Sequence, residues 1–453
     1  MNKHWAHEAI FYHIYPLGFC GAPEKNDFTK PAVNRLDKIY DWVNHLKYLG
    51  INALYLGPLF ESGEHGYDTA DYFKVDRRLG TNESLAQLIR TLHENGIRVI
   101  LDGVFHHVGR DFWAFRDVLE HGEKSPYCDW FTGLSFDGSS PYGDPFQYEA
   151  WNGHYSLVKL NLHHPEVKEH IFQAVQFWKD EFDIDGLRLD VAEDIDIDFL
   201  KALSSFRDQM KPDFWLMGEV IHGDYRQWTN EDTLDATTNY EVYKGLYSSH
   251  VDANYFEIAH SLKRQFDDPG MYKGLPLYNF ADNHDVDRVA STLTDQRHLY
   301  PLYTLLFSIP GVPSLYYGSE WGWEGKKVNG NDHPLRPDIE LGRAEQISPH
   351  PDLAQTIHKL AQLRKTSSAL RHGNYKQVHV THEQLAFLRQ SDDETILVIV
   401  NAAAEEVSVD IKLPELKGRR LVDLLNPEQS VEFNANTTQI NLYPYWGRIM
   451  KVA

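Results

Sequence analysis

IDGLRLDVAED, residues 184–194, sets Arg188 and Asp190 inside a run whose other members, Ile184, Leu187, Leu189 and Val191, read as a buried strand. Burying either charge unpaired costs several kcal/mol or more. The pair therefore needs a partner, a solvent-filled pocket or a chemical task. Period-2 alternation puts Ile184, Gly186, Arg188 and Asp190 on one face and Asp185, Leu187, Leu189 and Val191 on the other.

Working outward, similar short apolar runs recur: 10–19 (IFYHIYPLGF), 51–58 (INALYLGP), 97–104 (IRVILDGV), 184–191, 214–220 (FWLMGEV), 235–240 (DATTNY), 275–285 (LPLYNFADNHD) and 312–320 (VPSLYYGSE). Most are separated by segments of helical period. In ESLAQLIRTLHENG (83–96), Leu85, Leu88, Ile89 and Leu92 share one face, Thr81 or Asn82 serves as cap and Gly96 as stop. HPEVKEHIFQAVQFWKDEF (164–182) repeats the pattern. Eight strands alternating with helices predict an α/β fold, a parallel (β/α)8 TIM barrel whose chemistry sits at the C-terminal strand ends. The polar residues of the runs fall at those ends.

Two departures from a plain barrel are expected. About sixty residues rich in Gly, Pro, Ser and aromatics follow the third run, too long for an ordinary loop, and predict a small inserted domain. After the helix predicted over 353–370, closely spaced strands without helices predict a C-terminal antiparallel β-sandwich. The expected division is barrel 1–107, insert 108–160, barrel 161–372 and sandwich 373–453.

Composition narrows the function. The 453 residues carry a net charge of −22, a field that repels phosphate backbones and anionic lipids. Nucleic acid is not expected as a partner. The abundant Trp (11), Tyr (25) and Phe (23) suit flat, partly apolar ligands such as sugar rings, although most will fill cores. The start MNKHWAHEAIFYHIYPLGF lacks the apolar core of a secretory leader, and no run is long enough to span a bilayer. These features predict a cytoplasmic protein with no membrane partner. Cys20 and Cys128 form no CxxC pair, so neither a disulfide framework nor a cysteine zinc site is indicated.

Beside Asp190, the fifth strand end exposes Glu219 and the seventh exposes His284 and Asp285. Three carboxylates facing one mouth cannot all ionise freely, which supplies an acid and a base near neutral pH. Arg188, one pleat below Asp190, would hold that carboxylate ionised. Two close carboxylates, one nucleophile and one proton donor, are what retaining glycoside hydrolysis requires. A structural ion pair that merely closes the barrel is the competing reading of Arg188 and Asp190.

The blocks LDGVFHH, GLRLDVA, GEV and NHD, in this order, resemble the four signature regions of the α-amylase superfamily of glycoside hydrolases, family 13. LVKLN (157–161), GEVIHGDYRQW with LDATTNY, and GNDHPLR resemble the neopullulanase, cyclomaltodextrinase and maltogenic amylase group. The resemblance implies Asp190 as nucleophile, Glu219 as general acid and base, and Asp285 as the carboxylate that grips sugar hydroxyls. It implies substrate binding by Tyr67, His107, Arg188 and His284, with Asp332 and Arg336 completing the non-reducing side and Asp102 orienting its neighbours. The substrate class implied is malto-oligosaccharides, cyclodextrins or other short or cyclic α-glucans, with no cofactor and a monomer or homodimer as the working form. Transglycosylation or strict α-1,6 specificity on the same fold are the alternatives. Val191 is typical of members that act on α-1,6 bonds or on both linkages, and barrel packing alone would also accommodate a valine.

Two positions depart from the pattern. His106 stands where an asparagine often binds calcium, and a nitrogen donor is a poor ligand for that hard cation, so no metal is expected there. The group usually carries an N-terminal β-domain, whereas this chain enters its first strand by about residue 10. A metal-dependent sugar isomerase built on His106, His107, His163 and His164 lacks any tight ligand motif, and a non-enzymatic barrel relative would have lost the three carboxylates. GxSxG, Walker and GxGxxG patterns are absent.

Overall fold

The computed structural model describes residues 4–211, 213–427 and 429–453. Each of the eight predicted runs holds one parallel strand: β1 Phe11–Ile14, β2 Ala53–Leu56, β3 Arg98–Gly103, β4 Gly186–Leu189, β5 Trp215–Gly218, β6 Ala236–Thr237, β7 Tyr278–Phe280 and β8 Val312–Tyr316. They pair in the order β6-β5-β4-β3-β2-β1-β8-β7. A bridge between Thr238 and Tyr278 joins the two ends, where Asn239 N–H donates to Tyr278 O at 2.9 Å.

The barrel interior divides into an apolar floor and a polar mouth. Phe11, Tyr55, Ile100, Trp215, Met217, Tyr278 and Val312 pack into one buried cluster, with Phe11 stacked on Trp215 at 5.2 Å and edge-on to Tyr278 at 5.5 Å. Towards the strand ends the inward positions become His13, Asp102 and Arg188, all buried. The change from floor to mouth follows from alternation: inward residues two apart on β4, Gly186 then Arg188, stand beside Ile100 then Asp102 on β3.

The helices form where the period predicts. Thr81 caps Asn82–Glu94 with Ser84 as its reciprocal partner, Leu85, Leu88, Ile89 and Leu92 are buried, and Gly96 follows with φ +73. The segment predicted to start at 164 is helical from Pro165, with His164 as cap. The helix predicted over 353–370 is interrupted instead. Ser367 turns extended and its side chain caps a second helix by accepting Leu370 N–H, which splits the segment into Leu353–Thr366 and Ser368–His372.

After β3 the chain builds a three-stranded antiparallel sheet from His107–Gly109, Ala150–Trp151 and His154–Lys159. Phe115 packs edge-on to Phe131 and Tyr148, both at 5.1 Å. A second excursion, which periodicity did not reveal, follows β2: strands Phe60–Ser62 and Thr69–Val75 form an antiparallel pair whose turn carries Tyr67. Asp68 shapes that turn by accepting Glu64 N–H and Gly66 N–H at 2.7 and 3.1 Å, and Gly66 takes φ +91.

At the C-terminal end, a six-stranded antiparallel sheet faces a two-stranded one, Val407–Lys412 with Thr437–Leu442. Alternation explains how the large sheet is buried on both sides: Leu385, Phe387, Val398 and Ile449 join the main core, while Ala386, Leu388, Leu397 and Met450 meet Val409, Ile411 and Ile440. Thr437–Leu442 and Trp446–Val452 are two strands separated by a turn in which Tyr445 adopts φ +50. Among the described residues no helix is long and apolar enough to cross a membrane.

Candidate active site

The charge that opened the sequence problem has three partners. Arg188 is 3% exposed. Its Nη1 donates to Asp102 Oδ1 and Oδ2 at 2.9 and 3.1 Å and to Asp190 Oδ1 at 2.9 Å, while Nη2 lies 2.8 Å from Glu219 Oε2. Neither reading of the sequence stands alone: the arginine makes a structural pair with Asp102 and also holds two carboxylates at the mouth. Asp102 accepts further hydrogen bonds from Tyr55 at 2.7 Å and Tyr67 at 3.0 Å, so its charge is compensated from β2, β4 and the excursion after β2.

A cavity of about 780 Å³ opens above this layer. Seven of the nine residues singled out in the sequence line it: Tyr67, His107, Asp190, Glu219, Asp285, Asp332 and Arg336. Arg188 and His284 stand behind the lining. His284 lies against Asp285, Nε2 to Oδ2 at 3.0 Å, hydrogen-bonds the Tyr67 hydroxyl, and its ring stacks on Tyr67 with centroids 5.6 Å apart. Arg336 joins the far wall. Its Nη2 reaches Asp285 Oδ1 at 2.9 Å and Asp332 Oδ2 at 3.2 Å, its Nε donates to His284 O at 3.0 Å, and its guanidinium covers the Tyr15 ring. Lys327 closes that wall through Asp332 at 2.9 Å.

The electrostatics of the cavity are split. Burial, reinforced by the charges of Glu219, Asp102 and Asp285, pushes the Asp190 carboxyl well above the usual range against the pull of Arg188. Burial would raise Asp285 too, but His284, Arg336 and Arg188 outweigh it and hold that carboxyl below the usual range. One carboxyl therefore carries a proton more readily than its neighbour. This differs from the expectation that Arg188 holds Asp190 ionised; the guanidinium is shared among three acids. His107 is pushed down to about 3 by burial and by His106 and His65, so it is a neutral imidazole at working pH. Its Nε2 is buried with no hydrogen-bond partner among the described residues, 3.7 Å from Asp190 Oδ2. An unpartnered polar atom on a cavity wall is what a ligand hydroxyl would satisfy.

Val191 has a structural role that the sequence did not disclose. It adopts φ +42 and ψ +46, a region that costs a β-branched residue about 1–3 kcal/mol. In that conformation its N–H donates to Glu219 Oε2 at 3.1 Å. Glu193 laces the same two turns together by accepting Ile221 N–H and His222 N–H, both at 3.0 Å. Tyr240 and Trp151 are also cavity-lining residues that sequence reasoning did not single out; Tyr240 closes the LDATTNY block, which drew notice for its resemblance and not for that side chain, and Trp151 lies within the long insert.

The calcium position of the resemblance does not fit this chain. His106 Nδ1 lies 3.3 Å from His107 Nδ1, and burial with the Lys159 charge pushes the His106 imidazole down to about 4. Among the described residues no group of three or more His, Cys, Asp or Glu side chains is arranged to hold a metal. Tm in EDTA is expected to match Tm in calcium within about 1 °C by thermal unfolding; a deficit in EDTA that calcium restores would overturn this.

Fold and cavity together define the class, a barrel glycoside hydrolase. The family descriptions "Alpha amylase, catalytic domain" and "Maltogenic Amylase, C-terminal domain" match residues 13–348 and 375–449. The chain belongs to the α-amylase family. It is 35% identical over 425 residues to a cyclomaltodextrinase of a Bacillus species, covering 88% of this chain and 73% of that one. It is 30% identical over 417 residues to the intracellular maltogenic amylase of Bacillus subtilis, covering 88% and 69%. The ligand-free cyclic α-maltosyl-(1→6)-maltose hydrolase from Arthrobacter globiformis superposes with a TM-score of 0.83 at 28% identity, covering 100% of each chain.

Proposed function

We propose that the protein hydrolyses short or cyclic α-glucans with retention of configuration, with Asp190 as nucleophile, Glu219 as general acid and base, and Asp285 gripping the sugar hydroxyls. The observation that carries this reading is the shared guanidinium: Arg188 holds Asp190 and Glu219 by its two Nη atoms. That favours the separation of about 5–5.5 Å used by retaining enzymes over the about 6.5–9.5 Å that leaves room for a water. Asp190 attacks the anomeric carbon while Glu219 protonates the departing oxygen, and water then reverses the roles. Tyr67 and His107 offer a ring face and a neutral imidazole to the sugar in the cleaved position. Arg336 and Asp332 close the non-reducing side, with Arg188 and His284 holding the carboxylates from behind.

The insert over 108–160 forms one wall between barrel segments 1–107 and 161–372, and the sandwich over 373–453 packs on the barrel helices. The relatives support substrates of the malto-oligosaccharide and cyclic maltosyl-maltose type, with α-1,4 and α-1,6 bonds both in range, and the intracellular relative supports a cytoplasmic site of action. The net charge of −22 is unsuited to nucleic acid.

Chromatography and proton NMR of digests of maltotriose, β-cyclodextrin, panose and cyclic maltosyl-maltose test the reading. Products released first as the α-anomer are expected from at least one of these. A first-formed β-anomer, or no turnover of any, overturns it.

A further inference from the structure

Tyr240 follows β6 and opens the helix Tyr240–Val251, capped by Asn239, whose side chain accepts Val242 N–H at 3.2 Å. Its ring packs edge-on to Phe280 and Tyr243, with centroids 5.0 and 5.9 Å apart. That packing fixes the hydroxyl at the cavity wall. The hydroxyl accepts Asn283 Nδ2–H at 3.1 Å and faces Glu219 Oε1 at 3.3 Å. Asn283 is itself oriented, because its Oδ1 accepts the N–H of Asp285 at 2.8 Å and commits the amide nitrogen to Tyr240.

The two oxygens of Glu219 are not equivalent. Oε2 receives Arg188 Nη2 at 2.8 Å and Val191 N–H at 3.1 Å. Two donors fill the acceptor sites of that oxygen and leave no place for a proton. Oε1 meets only the Tyr240 hydroxyl among these groups. A hydroxyl can donate to a carboxylate and, after rotating, accept from a carboxylic acid while keeping its bond from Asn283. Burial and the charges of Glu219 and Asp285 push the phenol well above its usual range, so it stays a neutral hydroxyl.

We propose that Tyr240 is the positioning residue that keeps the exchangeable proton of Glu219 on Oε1 and matches its hydrogen bond to each protonation state. This rests on the reading of Glu219 as proton donor. As the glycosidic bond breaks, the proton passes from Oε1 to the departing oxygen and an Asp190 oxygen bonds to the anomeric carbon; Tyr240 then donates to the carboxylate. When water attacks that carbon, Oε1 takes a proton from the water, the bond to Asp190 breaks, and Tyr240 accepts again.

The test compares Tyr240→Phe and Glu219→Gln with the wild type on maltotriose and on α-maltosyl fluoride, whose fluoride departs without a proton. For Tyr240→Phe, kcat/KM on maltotriose is expected to fall about 10–100-fold and on the fluoride less than about threefold. The lost donor favoured the carboxylate, so the alkaline limb of kcat/KM on maltotriose is expected to move upward. Equal losses on both substrates with an unmoved limb would show a packing role only and overturn the inference. If Glu219→Gln still cleaves maltotriose near the wild-type rate, the proton-donor reading itself fails. If Glu219→Gln spares only the fluoride while Tyr240→Phe matches the wild type on both, the Tyr240 inference alone fails.

Discussion

Asp190→Asn is expected to lower hydrolysis of maltotriose by about 10⁴-fold or more, because asparagine cannot form the glycosyl ester. The same change is expected to raise Tm at pH 7 by about 1–3 °C. In the folded chain, burial and the Glu219, Asp102 and Asp285 charges hold the Asp190 carboxyl above its unfolded value of about 3.9. A carboxyl with a raised folded pKa contributes stability below the unfolded value, and that contribution is lost as pH rises through the folded one. At neutral pH the native aspartate is therefore a cost that asparagine lacks. The Tm gap should shrink as pH falls toward about 4. A variant less stable than the wild type at pH 7, or one that retains activity, would contradict the electrostatic picture or the role. The same shift places the acid limb of the wild-type kcat/KM profile above the range of an ordinary aspartate.

Arg188→Met is expected to destabilise the fold by about 3–5 kcal/mol, because it strands the buried carboxylates of Asp102, Asp190 and Glu219 around an uncharged side chain. The corresponding fall in Tm is about 3–6 °C. Arg188 lowers the Asp190 carboxyl in the wild type, so its removal raises that group further. The loss should be larger at pH 8 than at pH 5, where protonation relieves the crowding. Urea unfolding at both values checks it, and equal stability to the wild type at pH 8 would show that the guanidinium is dispensable.

The barrel was legible because each of its strands is a short apolar run closed by a polar residue, and because buried parallel strands tolerate no other pattern. The candidate site residues stood out for the same reason: Arg188, Asp190 and Glu219 are charges where alternation demands apolar side chains. What escaped was set by tertiary context. The excursion after β2 consists of strands as short as Phe60–Ser62, below the length at which period 2 is recognisable. The break at Ser367 depends on whether a serine caps or continues a helix, which its neighbours decide. Tyr240 reads only as the last residue of the sixth run until Asn283 and Glu219 arrive from two other strand ends. Asp102 was visible as an orienting residue, but a guanidinium shared by three acids needs the register of β3 against β4, Asp102 beside Arg188.

In the proposed mechanism Asp190 bonds covalently to the sugar while Glu219 moves the proton. Glu219→Gln is expected to slow the return of water more than the departure of fluoride, so a glycosyl-enzyme should accumulate on α-maltosyl fluoride. Peptide mass spectrometry of the acid-quenched mixture measures this directly. A maltosyl adduct on Asp190 is the predicted result; an adduct on another residue, or substrate turnover with Asp190 unlabelled, would contradict it.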